Sequence, residues 1–181
     1  HTLKAVENNE FVTLDDVLCG DVWLCSGQSN MQMNLHEVIG GEEAMANAAT
    51  HREIRILTMP RGGADKPKME FDAKWQMPSA DAVKDFSAVA WFFALHLKDD
   101  PTLAEVPLGI VNSSFGGTAI EAWMPADSFP EIPKDQISGS MFGIPSGTLF
   151  NGMIAPLTGL RIKGAVWYQG ESNSGQPQVY P

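Results

Sequence analysis

Short apolar runs recur along this chain between stretches of helical period. Three of them, over residues 21–25, 108–111 and 165–168, give way at once to polar turns that contain glycine. A run of that length bounded by turn residues reads as a strand buried in a sheet. In the first, alternation puts Val22 and Leu24 on a buried face. Residues 54–57 make a further strand-like run, Ile54-Arg55-Ile56-Leu57. Between the runs, 30–38 and 42–49 read as helix interrupted at Gly40-Gly41. Residues 87–98 carry the clearest helical pattern, with Ser87 as N-cap and Val89, Phe92, Phe93 and Leu97 on or near one face. Asp99-Asp100-Pro101 stops that helix. Strand then helix, repeated, predicts a doubly wound α/β fold with a parallel sheet covered on both faces.

Other segments lie outside this rhythm. Residues 12–17 read as a strand and turn that end a preceding module. Residues 61–68, with Arg61, Lys66 and Lys68 among glycine and proline, read as a mobile basic loop. The Gly/Pro/Ser-rich stretch 125–147 reads as an excursion over the sheet edge, of the kind that shapes specificity. Trp75 stands in a segment without clear period and is either part of a substrate wall or a ring that packs a loop onto the core.

The turns add chemistry to this fold. The first strand stops at Gly27-Gln28-Ser29-Asn30, where Gly27 permits a sharp bend and leaves the Ser29 hydroxyl at the carboxyl edge of the sheet. That edge is where open α/β sheets place ligands. A helix starting at about Asn30 points unpaired N–H groups and the positive end of its dipole at whatever Ser29 touches. The plainer alternative is that Ser29 and Asn30 only cap the helix. The second run leads into Phe115-Gly116-Gly117-Thr118, whose glycines let a substrate approach a bare N–H. At the end of the third strand stands Gln169, an amide donor. With the three strands as parallel neighbours, a hydroxyl, a glycine N–H and a side-chain amide meet at one edge, and these are the parts of an acyl-transfer site.

Gly27-Gln-Ser-Asn-Met31, Gly116-Gly-Thr-Ala-Ile-Glu-Ala-Trp123 and Trp167-Tyr-Gln-Gly-Glu-Ser-Asn173, with Leu149-Phe-Asn-Gly-Met-Ile-Ala-Pro-Leu157 ahead of the third, resemble successive blocks of sialate O-acetylesterase-type proteins. These are carbohydrate esterases of the SGNH hydrolase superfamily. The resemblance runs from about Val17 to the end of the chain. It implies a flavodoxin-like, three-layer α/β/α domain with a parallel sheet over residues 19–181, incomplete at its C-terminal end, with 1–18 as the tail of a preceding β-rich module. It makes Ser29 the nucleophile and gives the oxyanion hole to the Ser29 N–H, the Gly117 N–H and the Gln169 amide. Gly116 is the second choice for the glycine. Asn30 and Glu171 support the site, Glu171 as a buried partner that orients its neighbours. The implied substrate is a small O-acetylated carbohydrate of sialic acid or hemicellulose type, with no cofactor, in the periplasm or outside the cell.

The family takes its catalytic histidine and aspartate from an Asp-x-x-His loop beyond the third block. No such sequence occurs in this chain. His1 is terminal, His36 lies two helical turns past Ser29, His51 reads as a surface residue, and His96 falls on a helix surface or in the core. The missing C-terminal segment of the same protein is therefore an expected partner, and the chain alone is expected to be nearly inactive. The rival from another class is a non-catalytic carbohydrate-binding module that keeps the pocket and lacks the base.

Composition narrows the partners. A chain of 181 residues that is 44% hydrophobic can bury one proper core. No apolar run approaches the length of a membrane span. A formal charge of −10 argues against nucleic acid and anionic membrane surfaces. Cys25 reads as a small core residue, and a bridge to Cys19 would have to fold back over a short step of chain. No Cys/His cluster has metal-ligand spacing, so zinc has no support. Ser113 to Thr118 lacks the lysine of a P-loop and the spaced glycines of a dinucleotide turn.

Overall fold

The computed structural model of the chain describes residues 1–7, 10–128 and 143–175. Most of the excursion expected over 125–147 therefore lies outside the described residues. The chain opens with an antiparallel hairpin of β1 (Leu3–Glu7) and β2 (Glu10–Leu14). Then follow β3 (Asp21–Gly27), β4 (Ile54–Thr58), β5 (Leu108–Ser114) and β6 (Gly164–Tyr168), which form one sheet in the order β4-β5-β3-β6 with every neighbouring pair parallel. The helices are α1 (Ser29–Gln32), α2 (Gly41–Asn47), α3 (Ala80–Lys84) and α4 (Ala88–Asp99). This is the α/β fold the alternation predicts.

Period-two alternation sorts the strand side chains between two cores. Cys25, Ile54, Ile56, Leu108 and Ile110 face a cluster that contains Met31, Trp91 and Ala94. Leu57 and Val111 face the other, built from Trp123 on the turn Ile120–Trp123, Leu149 and Met153 at and in the turn Phe150–Ile154, and Leu157 at the end of the turn Ala155–Leu157. Val22 and Leu24 point to this second cluster and Trp23 to the first, all three half-buried. The expectation that alternation buries one face of β3 is corrected here, because an interior strand of a covered sheet has no solvent face. Burial pushes the Cys25 thiol up to about 12. Cys19 is exposed, and neither cysteine forms a disulfide.

Helix 30–38 is shorter than its pattern suggests. It ends after α1, where Leu35 N–H donates to the Phe86 carbonyl and Ala88 N–H to the Met33 carbonyl, so pairing with residues 86–88 replaces the next helical turn. A 3-10 turn at Leu35–Glu37 follows, with Asn34 N–H bonded to the Glu37 carboxylate. On α4 the Ser87 hydroxyl accepts from Ala90 N–H at 3.1 Å, the expected cap. Its fully buried face is Ala90, Trp91 and Ala94, while Val89, Phe92, Phe93 and Leu97 pack half-buried at the flanks. The two alanines let the helix close on the sheet around the Trp91 ring.

The structure also bears on two loop expectations. Residues 61–68 run beside the 147–154 segment, with Ala64 N–H bonded to the Thr148 carbonyl and Lys68 N–H to that of Asn151, both at 2.9 Å. Trp75 lies over Gly109, where a methyl group would sit 3.0 Å from its ring. That is the amino end of β5, opposite the edge that carries Ser29, so the ring packs a loop and forms no wall of the site. With Leu18, Val22, Met77, Leu108 and Leu160 it lines a cavity of about 500 Å³ at that far end.

Candidate active site

All three turns named from the sequence emerge at the carboxyl edge of the sheet, because β3 lies between β5 and β6 and runs parallel to both. Gly27 makes the bend. Its φ is +141°, and a Cβ there would meet the Tyr168 carbonyl oxygen at 2.0 Å, so neither the angle nor the space admits a side chain. Backbone bonds then stitch the edge together: Gln28 N–H donates to the Tyr168 carbonyl at 2.9 Å, and Phe115 N–H to that of Gly27 at 3.0 Å. Ser29 opens α1 and is exposed, with its Oγ 3.4 Å from Gln28 Nε2. Buried Met31 anchors the turn from below. Since α1 is a single turn, the field at Ser29 comes from its first N–H groups, and the long-helix dipole expected there is absent.

The second loop comes close. A methyl group on Gly116 would sit 3.5 Å from both Cα and Cβ of Ser29. The Gly116 N–H is occupied, donating to Gln32 Oε1 at 2.6 Å. Gly117 follows with φ +69°, and its N–H meets no acceptor among the described residues.

On the third loop, Gln169 follows β6 directly. Its amide nitrogen donates to the Thr118 carbonyl at 3.0 Å and to Asn173 Oδ1 at 2.7 Å, which engages both of its hydrogens. Asn173 is buried; its Oδ1 also accepts from Ile120 N–H, and its Nδ2 donates to the Glu121 carboxylate, both at 2.9 Å. Glu171 is exposed, which corrects the expectation of a buried partner. It stands on the turn after the edge strand β6, and its carboxylate accepts from Asn30 Nδ2. The third strand itself is less buried than its apolar letters suggest, with Trp167 40% and Tyr168 45% exposed.

None of the histidines lies against Ser29. The His36 ring faces the Lys84 carbonyl and Asp85, His51 packs on Trp91 and Glu53, and His96 bonds the Phe92 carbonyl. His1 pairs through its amino group with the Val17 carbonyl. Reading the sequence missed Gln28, Gln32, Glu121 and Asn173. Gln28, Glu121 and Asn173 lie inside the blocks that drew attention, but only tertiary contacts distinguish a structural amide or carboxylate from a solvated one.

A parallel sheet with flanking helices is a fold found among carbohydrate acetylesterases. The crystal structure of one from Xanthomonas citri superimposes with a TM-score of 0.83 at 35% identity, covering 95% of this chain and 37% of that one. Residues 19–180 match the carbohydrate esterase family of sialic acid-specific acetylesterases, and the chain belongs to that family. Human sialate O-acetylesterase is 39% identical over 183 residues, covering 91% of this chain and 34% of that protein. The mouse protein of the same name is 33% identical over 205 residues, covering 92% and 37%. The chain thus spans about a third of the length of the curated relatives it matches.

Proposed function

We propose that this protein removes acetyl groups from O-acetylated carbohydrates, with Ser29 as the nucleophile. The Ser29 oxygen attacks the ester carbonyl carbon and gives its proton to a base, and the carbonyl oxygen becomes an oxyanion. Collapse breaks the bond to the sugar oxygen, which leaves with a proton; water then attacks the acetyl-serine and releases acetate. The observation that carries this reading is the position of Ser29, exposed on one helical turn at the carboxyl end of β3 with a glycine loop and an amide loop on either side.

The oxyanion falls to the Ser29 N–H, the Gly117 N–H and Gln169. Occupation of the Gly116 N–H by Gln32 favours Gly117 over its neighbour. For Gln169 to donate, one amide hydrogen must leave Thr118 or Asn173 as charge develops. The base is a histidine from outside these residues, a reading supported by the engagement of His36, His51 and His96 elsewhere. Relatives named for sialate favour an acetylated sialic acid as substrate. We further propose, on the resemblance of the sequence blocks alone, that the protein acts in the periplasm or outside the cell. The same lack of a histidine at Ser29 favours a second reading, a module that binds acetylated sugar without cleaving it.

Full-length protein assayed on 4-nitrophenyl acetate and on an O-acetylated sialic acid separates the two. Ser29→Ala is expected to lower kcat by about 10³-fold or more at unchanged Tm. Full activity in the variant overturns Ser29 as nucleophile. Sugar binding without turnover in the unaltered protein leaves the binding module.

A further inference from the structure

We infer that Gln28 and Gln32, one turn apart on either side of Ser29, are positioning residues that hold the two neighbouring loops in register with the nucleophile. The inference rests on Ser29 being that nucleophile.

Gln32 N–H donates to the Gln28 carbonyl at 2.8 Å, so both side chains issue from the turn that carries Ser29. They reach in different directions. Gln28 is 3% exposed, and its Oε1 accepts from Gly170 N–H at 3.4 Å and Ser172 N–H at 3.2 Å, both on the third loop. These N–H groups stand at the start of the 3-10 turn Glu171–Asn173, where no partner within the turn exists for them. Gln32 Oε1 takes the Gly116 N–H of the second loop at 2.6 Å. Each glutamine therefore presents a carbonyl oxygen to loop backbone, and one short element sets the spacing of all three parts of the site.

Gln32 has the sharper consequence. By accepting from Gly116 it removes that N–H from competition, and the turn at Gly117, φ +69°, aims the next N–H separately. An oxyanion donor acts only if it lies within hydrogen-bond reach of where charge develops. Holding the donor loop from the nucleophile's own turn fixes that distance locally. A glutamine that served stability alone would lower Tm when replaced and leave kcat of the folded protein unchanged.

The test uses full-length protein carrying Gln32→Leu, which keeps the bulk and loses the acceptor. We expect kcat on 4-nitrophenyl acetate to fall about 10- to 100-fold, the scale of a misplacement near 1 Å, with KM within about twofold. Affinity for methylboronic acid, whose serine adduct puts an oxygen where the oxyanion forms, should fall by the same factor as kcat/KM. Gln28→Leu is expected to act in the same direction through the third loop. If Gln32→Leu does not fold, Gln32→Asn carries the same amide on a shorter arm and reads the same quantity. Unchanged kcat and boronate affinity in a folded Gln32 variant overturn the inference and leave Ser29 standing. An active Ser29→Ala protein overturns both.

Discussion

Gln169 is where geometry and chemistry press hardest on one residue. Its amide ties the Thr118 carbonyl to Asn173, and Asn173 in turn holds Ile120 N–H and the Glu121 carboxylate, both nearly inaccessible to water. Removing it leaves buried acceptors short of a donor, at a cost of about 1–3 kcal/mol. In its proposed role as an oxyanion donor it would also contribute to the rate. Gln169→Ala in full-length protein should lower Tm and reduce kcat by about 10²–10³-fold with little change in KM. Paired kinetics and melting curves check this: a lowered Tm with kcat intact takes Gln169 out of the oxyanion hole and leaves the hole to the backbone.

At the scale of elements, the junction of β3 with α1 decides where Ser29 sits. Gly27→Ala drives a Cβ onto the Tyr168 carbonyl oxygen, 2.0 Å away, at a φ of +141°. The chain must then move β6 or straighten the bend, and either separates the first and third loops. We expect a loss of more than about 2 kcal/mol, measured by denaturant melting, together with a fall in activity. A variant as stable and active as the parent would show that the bend is not required. This junction was legible in the sequence because its causes are local: an apolar run, a glycine and a serine lie next to one another in the chain. The strand–helix alternation and the Ser87 cap were legible for the same reason. The early end of α1 was not, since Leu35 and Ala88 find their partners across the fold. Nor were the exposure of Glu171, the edge position of β6 or the loop contacts of Gln28 and Gln32. Each depends on which strand lies beside which, and a side chain's letter does not record that.

At the scale of the whole molecule, the described residues supply a sheet, the turn that carries Ser29 and two flanking loops, while the histidines are engaged elsewhere. The hairpin β1–β2 leaves Val6 73% and Phe11 72% exposed, and two strands alone are only marginally stable in water. A serine without a base stays protonated and weakly nucleophilic. The 181-residue chain alone is therefore expected to turn over 4-nitrophenyl acetate about 10³-fold more slowly than a longer form that includes an Asp-x-x-His segment. Equal rates would make an in-chain group the base, with Glu171, bonded to Asn30 beside Ser29, the first to replace. The most direct measurement labels full-length protein with a fluorophosphonate, which forms a stable adduct only with an activated serine, and maps the adduct by mass spectrometry. The account predicts one adduct, on Ser29, formed in step with loss of esterase activity. An adduct on another serine, or full loss of activity with Ser29 unmodified, would contradict it.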